Sequence, residues 1–453
     1  MANSTNQMTI LEAKGVHQLP RVENLILLVG SNPVPNAVAA KLLVKNGGTL
    51  TLLHSKETAS IATRLEVWLQ DEASCGDGQP STRLKVRLRE VDPASPSSMS
   101  RVLLEELEKV GSTSVGLNYT GGTKAMAVHA YRTLENWAKA KGIKPVFTYL
   151  DARRLRLMKD PSEWGTSERV DSWYVGQSVK LSYRELFRLH GWTLRRELST
   201  PEPVLPLSAK ALAKAYQVKG TGDKWKNWVA KEVQQKCRKD NSERWRSNTD
   251  LEKTSLTLPT DSELYDVKEK LTQELGNHGE ELNVGWAAKQ AGLSAGELCG
   301  WFDGKWLETL AFLALRDNEK NLSLHDVYLN VNPYAHDEKP VDAKKQPVDF
   351  EIDVVGMRGY QLFAISCSTD SSKRLLKHKL FEAFIRARQL GGDEARVALV
   401  CCSDDPERLE REMSRDVDVD LEQGTLRVFG RKHLADLPAH LAEWVKSQSG
   451  EED

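Results

Sequence analysis

Apolar runs of strand length recur through the first third of the chain, each followed by a stretch with helical spacing. Leu25 to Val29 reads Leu-Ile-Leu-Leu-Val, and Gly30-Ser31-Asn32-Pro33 leads from it into a helical pattern over Ala37 to Val44. Thr49 to Leu53 is the next such run, then a helix from about Lys56 to Leu69, then Leu84 to Val91. Val115 to Leu117 closes the series and precedes a helical pattern through Ala125, Met126, His129, Ala130, Leu134 and Trp137. Runs that are apolar throughout suit strands buried on both faces of a parallel sheet. Strands that alternate with helices predict an α/β fold.

The texture changes from about 165 to 295. This part is rich in Trp, Lys, Glu and Gln, with helical spacing in Lys210 to Val218 and Trp225 to Cys237, and with breaks at Pro201, Pro203, Pro206 and Pro259. It reads as a few helices and linkers. Trp225, Trp228 and Trp245 stand near Lys and Arg, as base-stacking residues do, but at helical spacing they read first as core. Beyond Cys299 an amphipathic helix turns Trp306, Leu307, Leu310 and Leu313 inward and carries one acid, Glu308, near its start. Val327 to Val331 follows. Phe350 to Val355 and Gln361 to Cys367 then flank Arg358-Gly359 as a hairpin, and a helix runs from Leu375 to Leu390.

Two strand-to-helix junctions carry anion-binding chemistry. In the first, Leu117-Asn118-Tyr119 runs into Thr120-Gly121-Gly122-Thr123-Lys124, and a helix opens at once. Free backbone N–H groups, two hydroxyls and an ammonium then converge on one point, which suits phosphate. The glycines let backbone approach a ligand. The GxxxxGK[ST] spacing of a Walker A loop is absent. In the second, Ser31 and Asn32 occupy the corresponding turn. In doubly wound sheets both turns lie on the rim where ligands bind, beyond the carboxyl ends of the strands.

The Asn-Tyr-Thr-Gly-Gly-Thr-Lys-Ala-Met run, behind a strand that ends in Gly-Ser-Asn-Pro, resembles the CRISPR-associated Rossmann-fold (CARF) domain. It is similar in particular to CARF proteins with a C-terminal restriction-endonuclease-like domain. The resemblance covers roughly residues 20 to 160. It implies a homodimer that binds a cyclic oligoadenylate, cyclic tetra-adenylate first among them, across its two-fold axis. A ring of phosphates and adenines with rotational symmetry matches a site built from identical loops. Carried over by position, Ser31 and Asn32 would touch ribose or phosphate. Thr120, Gly121, Gly122, Thr123 and Lys124 would cradle phosphates.

The order of elements near the C-terminus is that of a PD-(D/E)xK nuclease. The expected fold is therefore α/β in three parts: a Rossmann-like CARF domain over 1–165, a helical connector over 166–295 and a restriction-endonuclease-like domain over 296–445. Phosphodiester hydrolysis in such a site uses Mg²⁺ or Mn²⁺, hard ions that take carboxylate oxygens and water. Asp353 is the first candidate ligand, with Glu308 from the helix and Glu351 beside it. Glu351 and Asp353 flank Ile352, and strand alternation would put both on one face.

The chain departs from the nuclease pattern at one position. The second strand should carry a lysine, often in Ser-Cys-Lys-Thr, but the chain reads Ile365-Ser366-Cys367-Ser368-Thr369. A serine holds a water and supplies no charge. Lys373 or Lys377, at the start of the next helix, is the expected substitute. Two readings stay open: an activated nuclease that cuts single-stranded or nicked DNA or RNA, and a sensor whose nuclease-like domain binds without cutting. A weaker third is a phosphodiesterase in the CARF cleft that degrades the messenger.

Composition narrows the picture. The 453 residues exceed what one core usually fills. Lys+Arg number 63 against 64 Asp+Glu, so no global basic field marks a nucleic-acid binder, although Arg153 to Arg156, Arg195-Arg196, Lys224 to Lys239 and Lys373 to Lys379 are local basic clusters. The six cysteines show no CxxC pair, and the histidines no zinc spacing. With no leader and no apolar stretch of spanning length, the expectation is a cytoplasmic protein with no membrane partner.

Overall fold

The computed structural model describes residues 19–71, 84–110, 114–161, 171–194, 202–239, 242–277, 279–335, 350–419 and 424–448. Arg195, Arg196 and Pro201, named above, lie outside them, as does Cys75, one of the six cysteines. The first sheet has strands β1 (Val22–Leu28), β2 (Val44–His54), β3 (Lys85–Glu90), β4 (Val115–Asn118), β5 (Val146–Asp151), β6 (Arg156–Lys159) and β7 (Ser172–Tyr174). Their spatial order is β3-β2-β1-β4-β5-β6-β7. The first five are parallel, and β6 and β7 add to the edge antiparallel. Helices α1 (Val34–Leu43), α2 (Ala59–Gln70), α3 (Pro96–Leu107) and α4 (Lys124–Lys141) connect the parallel strands. The chain order reverses between β1 and β4, so the turns after these two strands face each other at the carboxyl edge. Val44, expected to end the first helix, already pairs with Val22 as the first residue of β2.

The middle is helical as expected: α5 (Tyr183–Leu189), α6 (Pro206–Gln217), α7 (Thr221–Trp228), α8 (Tyr265–Leu275), α9 (Val284–Gln290) and α10 (Ala295–Gly300), with short strands β8 (Trp192–Leu194), β9 (Ser255–Thr257) and β10 (Glu281–Asn283). Trp225 and Trp228 are core, 1% and 8% exposed, as their spacing implied. Trp245 lies under the Arg238 guanidinium, 5.1 Å from it. The wide turn Trp301–Lys305 joins α10 to α11 (Trp306–Arg316), and Gly304 supplies a φ of 155° there that a side chain would resist.

The second sheet is built from β11 (His325–Val331), β13 (Ile352–Arg358), β14 (Gln361–Ser368), β15 (Arg396–Cys401) and β16 (Leu426–Phe429), in that spatial order. Short β12 (Pro333–Ala335) instead pairs with β8. The expected hairpin is present: β13 and β14 are antiparallel, with Val354 opposite Ile365 and Arg358 opposite Gln361. β14, β15 and β16 run parallel. Helix α11 covers one face through Leu307, Leu310 and Ala311 against Phe363, Ile365 and Val400. The remaining helices are α12 (Lys373–Gly391), α13 (Pro406–Asp416) and α14 (Leu437–Ser447). α12 covers the opposite face through Leu376, Leu380 and Phe384 against Met357, Leu362 and Leu399.

That second layer of apolar side chains is continuous with the first sheet. Leu27, Val38 and Leu52 belong to the same buried cluster as Leu380 and Val397. The contact is close at the hairpin turn, where Gly359 (φ 60°) leaves only 1.8 Å between a would-be Cβ and the Gly176 carbonyl oxygen. No described helix is long and apolar enough to cross a membrane.

Candidate functional site

The rim of the first sheet gathers the two expected loops, and their glycines serve a purpose the sequence did not show. A Cβ on Gly121 would lie 2.1 Å from the Leu28 carbonyl oxygen, and one on Gly30 would lie 2.9 Å from the Gly122 nitrogen. The glycines therefore let the two loops touch each other. Asn36, 1% exposed, ties the junction by donating to the Leu28 carbonyl at 2.9 Å.

The polar side chains divide into two groups. Thr120 is consumed inside the sheet: its hydroxyl donates to Asn118 Oδ1 at 2.8 Å and accepts from the Leu150 amide at 2.7 Å. Asn32 is also engaged at both ends, its Oδ1 accepting from the Val34 amide and its Nδ2 donating to Glu394 Oε2 at 2.8 Å. Thr123 caps α4, accepting from the Met126 amide at 3.2 Å. Ser31, Thr123 and Lys124 are the exposed members of the set. Next to them stands an aromatic group in which the Tyr119 hydroxyl donates to Asp160 at 2.8 Å. Burial and that carboxylate push the Tyr119 phenol well above its ordinary range.

The second cluster lies where β13 begins and β14 ends, against α11. Asp353 (7% exposed) accepts on one oxygen from the Cys367 amide at 2.6 Å and from the Ser366 hydroxyl at 3.2 Å. Lys379 of α12 brings its ammonium to 3.5 Å from that oxygen and donates to the Cys367 carbonyl at 2.5 Å. Glu308, 9% exposed in the first turn of α11, approaches from the other face. Burial pushes its carboxyl up to about 8, with a further rise from the Asp353 charge that Lys305 partly offsets. For Lys379, burial works against the charge, yet the Asp353 and Glu308 carboxylates outweigh it and hold the ammonium above its usual range.

Two sequence expectations change here. Lys373 does not reach the site: it pairs with Glu412 at 2.6 Å, and Lys377 pairs with Asp416 at 2.7 Å. Lys379 arrives instead, because it lies on the opposite flank of the stripe made by Leu376 and Leu380 from Lys373 and Lys377. Its spacing against that stripe was the signal available in the sequence. Ser368, where the lysine was missing, accepts from the Asp370 amide at 3.3 Å and takes no part in the acid cluster. Glu351 lies one residue before β13 and joins the cluster from the Glu308 side, through a shared lysine. It faces Lys305 at 3.8 Å. The Asn330 side chain lies between the two glutamates, and the amide orientation that satisfies its surroundings turns its nitrogen to donate to Glu308 Oε2 at 3.1 Å and Glu351 Oε1 at 3.2 Å.

Among the described residues no group of three or more His, Cys, Asp and Glu is gathered to hold a metal ion. Mg²⁺ is commonly held by one or two carboxylates, with water and substrate phosphate completing the shell. Glu308 and Asp353 fit that donor set, since the Asp353 charge raises the cost of charge on Glu308 and a cation would relieve it.

No protein-family model and no curated protein sequence matches the chain. Solved structures do. Protein VC1899 from Vibrio cholerae aligns with a TM-score of 0.65 at 16% identity, over 94% of this chain and 99% of that one. Can2 from Sulfobacillus thermosulfidooxidans, solved in complex with cyclic tetra-adenylate, aligns with a TM-score of 0.63 at 14% identity, over 95% and 98%. The likeness is one of fold, and it runs through the Rossmann-like part, the helical middle and the C-terminal α/β part alike.

Proposed function

We propose that this chain is a cyclic-oligoadenylate-activated, metal-dependent nuclease of type III CRISPR antiviral defence, acting in the cytoplasm as a homodimer on single-stranded or nicked nucleic acid. The observation that carries the reading is Lys379. Its ammonium stands beside Asp353 and the end of β14, where the nuclease pattern needs a lysine and the sequence has Ser368. The shared fold with Can2, a protein solved with cyclic tetra-adenylate, supports the messenger.

In this mechanism Asp353 and Glu308 would hold Mg²⁺ or Mn²⁺, which when bound would supply polarisation of the phosphoryl oxygen and a lowered pKa for water. Asp353 is fixed for that task by the Cys367 amide and the Ser366 hydroxyl, which occupy one of its oxygens. The Lys379 ammonium orients the attacking water and offsets the charge that develops on the phosphate. Asn330 positions the Glu308 carboxyl. Ser31, Thr123 and Lys124 meet the messenger at the rim, and binding shifts the population between two arrangements of the dimer by its differential affinity for them.

A second reading, a sensor that binds nucleic acid without cutting, is favoured by one observation: Lys305 and Asn330 occupy Glu308 and Glu351. Labelled single-stranded and supercoiled substrates, with Mg²⁺ or Mn²⁺ and cyclic oligoadenylates of several ring sizes, decide between the two. Cleavage that requires both metal and one messenger supports the nuclease. Messenger binding without cleavage of any substrate supports the sensor.

A further inference from the structure

The connector stretch from Lys236 to Arg246 holds five cations against two acids, in a chain whose formal net charge is -1. Its two ends are paired in a fixed shape. Arg238 and Trp245 form an antiparallel bridge, the Lys239 amide donates to the Arg244 carbonyl at 2.9 Å, and the Arg246 amide donates to the Cys237 carbonyl at 2.9 Å. The Trp245 ring packs on the connector core, under the Arg238 guanidinium. Side chains alternate along extended backbone, so Arg244 and Arg246, the neighbours of Trp245, point away from that core.

The five cations divide by use. Lys236 pairs with Glu232 at 2.6 Å and Arg238 with Asp303 at 2.5 Å. Lys239, Arg244 and Arg246 are exposed and form no ion pair with any described residue. The stretch is also tied to the acid cluster. Asp303, which takes Arg238 and the Gln234 amide, stands two residues before Lys305 in the wide turn. Lys305 brings its ammonium to 3.8 Å from both Glu308 and Glu351. Gly304, between Asp303 and Lys305, lies against the end of β14: a Cβ there would be 2.9 Å from Thr369 Oγ1. One turn therefore carries both the fastening point of the basic stretch and the cation shared by two acids of the cluster.

Acids gathered at one place repel a nucleic-acid strand, and cations fixed close by supply the attraction that the acids lack. Guanidinium groups also match phosphate oxygens in shape. We propose that Lys239, Arg244 and Arg246 form a phosphate-binding surface that holds the backbone of the substrate strand beside the acid cluster. It rests on the nuclease reading for why a strand comes there. Contacts to phosphate fix affinity and position and carry no sequence information, so the surface serves DNA and RNA alike.

The test reads binding apart from cleavage. The full chain, with cyclic tetra-adenylate and without divalent metal, is titrated with a labelled single-stranded oligonucleotide by fluorescence anisotropy at several salt concentrations. In the triple variant Lys239→Gln, Arg244→Gln, Arg246→Gln, affinity should fall on the order of 100-fold at about 0.1 M salt. The slope of log affinity against log salt should flatten by about 2, at about 0.7 for each phosphate contact. The variant Lys239→Arg, Arg244→Lys, Arg246→Lys keeps the charges and should keep most of the parental slope. A control variant, Lys139→Gln, Lys289→Gln, Lys320→Gln, removes the same charge from exposed positions elsewhere and should bind as the parent does. Melting temperatures should match the parent throughout.

A parental slope in the first triple variant overturns the proposal, as does an equal loss in the control or a parent that binds no strand. Cleavage of the same oligonucleotide with Mg²⁺ is scored separately. Binding that depends on the three cations, in a protein that cuts nothing, supports the surface and overturns the nuclease reading. Cleavage by the parent, with parental binding in the first triple variant, overturns the surface and leaves the nuclease reading standing.

Discussion

The Asn32 amide and the Glu394 carboxylate meet at 2.8 Å across 362 positions of sequence, so a rim loop of the first sheet is tied to the turn that precedes β15 in the second. Glycine is required at the joint: a Cβ on Gly392, whose φ is 69°, would lie 2.5 Å from the Asn32 side chain. Glu394 is fully buried, and its second oxygen has no partner.

Stability should depend on pH through this acid. Burial pushes Glu394 up to about 7, against the hydrogen bond from Asn32, while an unfolded glutamate titrates near 4.3. Between these values the folded protein holds a proton that the unfolded chain has lost, so stability falls as pH rises. The contribution of neutral Glu394 is complete below about pH 4.5 and gone once the pH passes 7. Glu394→Gln cannot ionise. Its melting temperature relative to the parent should rise across that window, by the equivalent of roughly 3–4 kcal/mol. A difference that stays flat with pH would contradict the assignment.

Asp353→Asn should remove messenger-stimulated cleavage, by on the order of 100-fold or more, and leave messenger affinity unchanged. Asparagine still accepts from the Cys367 amide, so the fold should persist in circular dichroism. Isothermal titration with cyclic tetra-adenylate checks the affinity, and a gel assay checks the cleavage.

Of the basic residues that open α12, Lys379 should matter and Lys373 should not. Lys379→Met is expected to lower kcat by ~10²–10³-fold, as for loss of a group that stabilises transition-state charge. Lys373→Met breaks only a surface pair with Glu412, worth about 0.2–1 kcal/mol, and should cut at the parental rate. Equal losses in the two variants would return the lysine role to the start of the helix.

At the rim, Lys124→Ala should weaken messenger binding by about 1–3 kcal/mol with no change in melting temperature. Thr120→Val should do the opposite. It strands the Leu150 amide and lowers stability by about 1–3 kcal/mol. Calorimetric titration and thermal melts on the two variants separate a ligand contact from an internal brace.

The order of strands and helices was legible because each buried strand is a nearly unbroken apolar run and each covering helix carries an apolar stripe. Glu308 and Asp353 were legible as acids set among apolar neighbours. The engagement of Thr120 and Asn32 was not, because it depends on which backbone amides and distant acids the fold brings near them. Lys379 was passed over because three lysines crowd the start of α12, and only the direction of the Leu376–Leu380 stripe separates them. The link from Glu351 to Glu308 was not legible either, because it runs through Lys305 on a distant turn.

The shared buried layer also bears on how such a protein can change over time. Leu27 and Val38 pack in one continuous cluster with Leu380 and Val397, so neither end of the chain owns its side of that layer. Cut at the connector, each fragment would present a wet apolar face and precipitate. Swapping the front part for a sensor of another signal, as modular chains do by recombination, would demand matching surfaces on both sides. The two ends should therefore be inherited together, with substitutions on one side of the layer matched by substitutions on the other.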